Sequence, residues 1–256
     1  MSDAPGTAVA AVSAQPALED YAAWKDWHAD RFGTFSVRDG CYFDWHVSRA
    51  AGAPSRGLRV LEIGFGNGGF LGWTRARGHH VVGIELSEPL VARARDAGFE
   101  ALTSTDQLAP DARFDLVTAF DVLEHVPMPE VASFLADLRQ RLAPGGRIVL
   151  RFPNTESPFG QWYQNGDVTH VTSLGLSRMR QIAPRSGLRL LHWGDRLPWH
   201  REPGAARVAA GAYHVMRRVF ERFLRKMYRL DRSLDLSPNL LVVLASATHA
   251  TPDPQR

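Results

Sequence analysis

Residues 62 to 68 read Glu62, Ile63, Gly64, Phe65, Gly66, Asn67, Gly68, a carboxylate followed by three alternating glycines, and that spacing builds a ligand pocket largely out of backbone. Lacking a Cβ, Gly64, Gly66 and Gly68 permit a tight strand-to-helix turn and let a ligand lie almost against the main chain. An acid at the head of such a turn calls for a cationic partner. Gly64, Gly66 and Gly69 also satisfy the dinucleotide fingerprint, with Glu85 about twenty residues on, where a ribose-binding acid belongs. The two readings differ in charge. A dinucleotide brings a pyrophosphate, which is served by a helix N-terminus and sits poorly against Glu62. S-adenosylmethionine brings an ammonium and a sulfonium, which Glu62 complements.

These groups need a scaffold, and from residue 58 onward the hydropathy pattern alternates between strand and helix. Strands are expected at 58–63, 80–85, 99–103, 114–120 and 146–152, with helices at 68–77, 88–97 and 129–142. The runs at 81–84 and 114–120 are apolar on both faces, as strands covered by helices on each side should be. The fold class is therefore α/β, a doubly wound, Rossmann-like, mostly parallel sheet. Ligands of such sheets lie beyond the carboxyl ends of the strands, where Glu62, Glu85 and Asp121 all fall. A helix over 173–186 and strands over 188–193 and 239–245 complete the pattern.

The 256 residues are 45% hydrophobic and 22% charged, enough for one substantial core. Residues 1–16, rich in Ala, Ser, Pro and Gly, read as a disordered leader. Residues 17–57, with a helix expected over 17–32 and the aromatics Tyr42, Phe43 and Trp45, read as a helical lid, 58–246 as the main domain, and 247–256 as a tail. Cys41 is the single cysteine, which rules out an internal disulfide and suits a reducing compartment. The longest apolar run, 240–245, is far short of a bilayer span, so a soluble, cytoplasmic protein is expected.

Charge is distributed unevenly. Between 201 and 232 there are nine Lys and Arg against three Asp and Glu, an excess larger than the whole chain's net +3. In this insertion, 200–235, Met216, Phe220, Phe223, Met227 and Leu230 recur at helical spacing, so an amphipathic helix with an arginine-rich opposite face is expected. Such a helix can cover the sheet, pair two copies as a homodimer, or make a peripheral contact with the inner membrane face through residues 205–232. Confinement of the charge to one helix, with no recognisable binding module, argues against nucleic acid.

With these pieces placed, the chain resembles the class I S-adenosylmethionine-dependent methyltransferases over roughly residues 58–195 and the final strand. Four stretches in order carry the likeness: 60–68 (VLEIGFGNG), 83–87 (GIELS), 114–126 (FDLVTAFDVLEHV) and 142–150 (LAPGGRIVL). The resemblance implies a seven-stranded sheet whose last strand runs antiparallel, and S-adenosylmethionine as cofactor. It implies that Glu62 with Gly64, Gly66 and Gly68 holds the methionine moiety, that Glu85, next to Leu86, accepts both ribose hydroxyls, and that Phe120 and Asp121 border the donor. Asp106 is the nearest candidate to face the adenine amine, although its spacing departs from the usual arrangement.

Residues 153–173 look like the acceptor loop of methyltransferases associated with bacterial cell-surface polysaccharide assembly. On that likeness the acceptor is a small-molecule or lipid-linked saccharide, with Trp162 and Tyr163 stacking on a sugar ring and Gln164 and Asp167 bonding its hydroxyls. Alternatives are a quinone-like or other small hydroxylated molecule, an NAD-dependent oxidoreductase, and a non-catalytic binding module. For a hydroxyl acceptor a base helps remove the proton. His125 and His170 are the candidates, with His170 expected to face the acceptor. Asp121, Glu124, His125 and His170 could also ligate a divalent ion, as an acid-x-x-Glu-His pattern does in some relatives, but the pattern is widespread in metal-free enzymes and no metal is expected.

Overall fold

The computed structural model describes residues 25, 29–51, 57–202, 204–231 and 234–247. The leader, most of the helix expected over 17–32, and nearly all of the tail lie outside these residues. Helix α1 (Val37–Ala51) precedes an alternating series: β1 (Arg59–Ile63), α2 (Gly69–Ala76), β2 (His80–Ile84), α3 (Glu88–Asp96), β3 (Glu100–Leu102), β4 (Phe114–Phe120), α4 (Val131–Gln140) and β5 (Leu142–Pro153). After it come α5 (Gln161–Asn165), α6 (Leu176–Arg185), β6 (Leu188–Trp193), α7 (Ala206–Tyr228) and β7 (Asn239–Ser246).

The seven strands pair in the order β3-β2-β1-β4-β5-β7-β6, and only β7 runs antiparallel to its neighbours. This is the doubly wound sheet anticipated from the apolar strand runs. Both faces are covered. On one, Leu61, Val117, Ile148 and Leu150 pack against Phe134, Leu138 and Met179 of α4 and α6. On the other, Val60, Leu116 and Val149 meet Val47 of α1 and Phe70 and Trp73 of α2.

β5 begins at Leu142, four residues earlier than its pattern predicts. Leu142 pairs with Phe114 before the register shifts to Leu116 opposite Arg147, so Ala143, Pro144, Gly145 and Gly146 are carried as an irregularity within the strand. Strand order reverses between β1 and β4, and the parallel strands present their carboxyl ends there, which is where such sheets hold ligands.

Candidate active site

At the end of β1 the chain turns through Gly64, Gly66 and Gly68, with φ of +69°, +51° and +73°. All three are left-handed, a conformation that glycine adopts without steric cost. A Cβ on Gly64 would also stand 2.6 Å from the Val122 side chain. The turn leads into α2 and borders a cavity of about 540 Å³ beyond the strand ends. Glu62, Gly64, Gly66, Glu85, Leu86, Phe120 and Asp121, all anticipated from the sequence, line this cavity, whereas Gly68 shapes the turn from behind.

Glu62 is buried, and its Oε2 has no hydrogen-bond partner among the described residues. Burial, and then the charge of Glu85, holds its carboxyl well above the usual carboxylate range. Burial also raises Glu85, against backbone hydrogen bonds that lower it. Those bonds come from Gly66 N–H to Oε2 and Ser87 N–H to Oε1, each 3.2 Å. Two neighbouring acids held this far out of water, with no cation between them among the described residues, form a receptor for a ligand that carries positive charge and hydroxyl donors.

Asp121 follows β4 with φ +57°, a conformation uncommon outside glycine. Its carboxylate accepts from both Nε and an Nη of Arg151, which lines the cavity too. Leu86, Leu90, Val126 and Phe134 supply apolar lining. Asp106 does not: it is exposed on a short turn and its carboxylate accepts from the Ser104 hydroxyl at 3.2 Å. The expected adenine contact therefore has no geometric support, because the turn after β3 directs this side chain into solvent.

The two histidines occupy different depths. His125 lines the cavity, and His170 stands behind it, the rings 4.8 Å apart between centroids. This reverses the expected order, in which His170 faced the acceptor. His125 Nδ1 lies 3.2 Å from the Thr169 carbonyl and 3.0 Å from the Thr169 hydroxyl. That hydroxyl donates to Asp167, so both oxygens of Thr169 are acceptors toward Nδ1–H and the Nε2 lone pair is left available. Burial, then the neighbouring His170, lowers His125 to about 4, which keeps the imidazole neutral. Burial lowers His170 as well; its Nδ1 reaches the Gln164 carbonyl at 3.2 Å.

The segment 153–173 thus serves the site differently from the sugar platform expected of it. Gln164 and Asp167 are buried supports for the two histidines, and Asp167 also meets Lys25 at 3.3 Å. Trp162 is 83% exposed on α5; neither it nor Tyr163 lines the cavity. Arg151 and Thr169 were missed by sequence reasoning, and Phe43 was read only as part of the lid.

Glu124, His125 and His170 each offer one ligand atom, all within 4.8 Å of one another, and form the one such group among the described residues. Both Glu124 oxygens are buried without a hydrogen-bond partner among those residues. His170 Nε2, whose lone pair is exposed once Nδ1–H bonds Gln164, points at Asp167 and Glu124 oxygens 3.5 and 3.9 Å away. A proton or a cation between them would satisfy all three.

Comparison with known proteins is consistent with this geometry. A family model described as a methyltransferase domain matches residues 38–193. A ubiquinone biosynthesis O-methyltransferase of Pseudomonas aeruginosa is 37% identical over 174 residues, covering 63% of this chain and 68% of that protein. Its counterpart in Aromatoleum aromaticum is 40% identical over 114 residues, 41% of this chain and 47% of that protein. The match thus spans about half the length of several such curated relatives. Among solved structures, a SAM-dependent methyltransferase from Archaeoglobus fulgidus superposes with a TM-score of 0.60 at 17% identity, over 89% of this chain and 98% of that one. Magnesium protoporphyrin IX methyltransferase from Synechocystis, solved with bound SAM, superposes at 0.51 and 16% identity, over 90% and 95%. At these identities the likeness is one of fold.

Proposed function

Since the chain belongs to the methyltransferase-domain family, we propose that it is an S-adenosylmethionine-dependent enzyme that methylates a hydroxyl oxygen of a small hydroxylated molecule. The observation that carries this reading is His125, a neutral imidazole on the wall of the cavity that holds Glu62 and Glu85, its Nδ1–H engaged by Thr169. A hydroxyl oxygen, a weak nucleophile while it keeps its proton, is the acceptor that gains from such a group. Bound in this cavity, S-adenosylmethionine would supply a methyl group on a sulfonium, a neutral thioether being the leaving group, and His125 Nε2 would take the hydroxyl proton as the acceptor oxygen bonds to the methyl carbon. Glu62 would hold the ammonium and Glu85 the ribose, so the protein's larger task is alignment and exclusion of water.

The acceptor in this reading is an aromatic alcohol rather than a saccharide. Phe43, Phe70 and Phe120 line the cavity and touch one another through their rings, giving a wall suited to a flat apolar molecule. Relatives whose names refer to ubiquinone biosynthesis and to tocopherol O-methylation support it. The exposed Trp162 and Tyr163 lend the saccharide alternative little. Transfer of a labelled methyl group should occur to catechols or phenols, with product mass fragmentation locating it on oxygen. Transfer only to sugars, or to nitrogen or carbon, would refute the assignment.

Replacement of Glu62 by glutamine should have opposite effects on the free protein and on the complex. Because the Glu62 pKa is raised by folding, its favourable contribution exists while it is protonated and is lost as pH rises through the folded value. Ligand-free Glu62→Gln should therefore melt higher than wild type at about pH 8 and show less difference at about pH 5. Its affinity for S-adenosylmethionine should fall roughly 30-fold, about 2 kcal/mol, as the ammonium loses its counter-charge. Calorimetry checks both, and unchanged affinity would remove Glu62 from the donor site.

A second reading adds a divalent cation, favoured by the buried, unpartnered Glu124 oxygens beside His125 and His170. Glu124, His125 and His170 would hold it. Bound there, it would polarise the acceptor hydroxyl and acidify its proton.

A further inference from the structure

Helix α7 turns Arg217, Glu221 and Arg225 toward the protein and a row of apolar side chains toward solvent. The buried Glu221 carboxylate accepts from Arg196 at 2.6 Å and from Arg217 at 2.8 Å. Both arginines also reach the Ser237 hydroxyl, and Arg225 donates to the carbonyls of Asp231 and Leu234. These bonds, made to residues before and after the helix, fix its rotation about its own axis.

The opposite face is consequently exposed. Val208 is 82% accessible, Val215 62%, Val219 61%, Phe220 48%, Phe223 57% and Met227 49%. A lone exposed apolar residue is ordinary, but a stripe running the length of a helix about 34 Å long is the mark of an interaction surface. The ring of Phe159 lies 6.4 Å from that of Phe220, and α5 with the exposed Trp162 follows directly, so the apolar surface continues onto the segment that carries His170.

Charge decides what this surface meets. Between 206 and 229 there are seven Lys and Arg and a single acid, Glu221, which faces inward. Arg207, Arg218, Arg222 and Lys226 are exposed along one border of the stripe. Apposing two copies would bring these cations together, whereas an anionic bilayer meets the stripe with acyl chains and the border with headgroups. Among the described residues no helix is long and apolar enough to cross a membrane, so α7 would lie on the surface.

We propose that α7 docks the protein onto an anionic membrane, its outward apolar stripe at the acyl boundary and its arginine border on the headgroups. This does not depend on the acceptor assigned above. The test is flotation of the purified chain with vesicles of phosphatidylcholine, with and without phosphatidylglycerol. Wild type should float with the anionic vesicles only. Phe220→Asp with Phe223→Asp should reduce the bound fraction at least about tenfold, and Arg218→Glu with Arg222→Glu should abolish the preference for anionic lipid. Both variants alter exposed side chains, so thermal melts and methyl transfer to a water-soluble acceptor should stay at wild-type levels. Absence of wild-type flotation, equal flotation of the phenylalanine variant, or a dimer in sedimentation that this variant dissociates would overturn the proposal, the last in favour of a second copy on the stripe.

Discussion

His125→Ala should lower kcat by about three orders of magnitude, roughly 4 kcal/mol, while S-adenosylmethionine affinity stays within about threefold of wild type. The split follows from position. In the proposed reading Glu62, Glu85 and the glycine turn would hold the donor without help from this imidazole, whereas the acceptor proton has no other neutral imidazole on the cavity wall among the described residues. With His125 held at about 4, the base is already deprotonated near neutrality, so its limb of the kcat/KM profile should appear only as pH falls toward that value. Wild-type turnover in His125→Ala would remove it from the reaction.

His170→Ala separates the two readings of this cluster. If His125 acts alone, loss of the ring behind it disturbs only its orientation and should cost about tenfold. If a divalent cation joins Glu124, His125 and His170, both alanine variants should lose activity comparably, the wild type should be inhibited by chelators, and metal content should fall in both variants.

The second large effect concerns a site of backbone contact. Gly72, within α2, lies against the chain at Gly33, and a Cβ there would stand 1.7 Å from the Gly33 carbonyl oxygen. Neither side can yield easily: Gly33 has φ +72° and its N–H is bonded to the Asn67 carbonyl at 2.9 Å. Beside it Phe32 covers Gly68 and packs edge-on against Phe65 and Phe99, so this stretch seals the outside of the glycine turn. Gly72→Ala should destabilise by about 3 kcal/mol, lowering Tm by about 10 °C, although alanine is the better helix former. Residues 29–35 should lose protection from hydrogen exchange. Gly69→Ala is the control, its nearest contact being the Thr34 carbonyl at an ordinary 3.4 Å, and should stay within about 1 kcal/mol of wild type. Equal stability of the two variants would mean that α2 and Gly33 are not in contact in solution.

Much of this architecture is legible in the chain, because its signals are local. β4 has the predicted limits, 114–120, since a strand buried on both faces is a bounded apolar run, and the edge strand β6 also keeps its predicted limits, 188–193. The Leu142 start of β5 was not legible, because Ala-Pro-Gly-Gly reads as a turn and only pairing with Phe114 recruits it into the sheet. Spacing likewise names His125 and His170 without saying which stands in front; the Thr169 bonds decide that.

The sequence by itself determined the acid-headed glycine turn, because a strand, an acid and three glycines within nine consecutive residues, 60 to 68, dictate the conformation there. It also determined that α7 has two unlike faces. Which face meets solvent was settled only by tertiary structure, since periodicity has no outside. The answer depends on Arg196 and Ser237, distant in sequence from Glu221 and Arg217, closing an ion network beneath the helix that turns the apolar stripe away from the core.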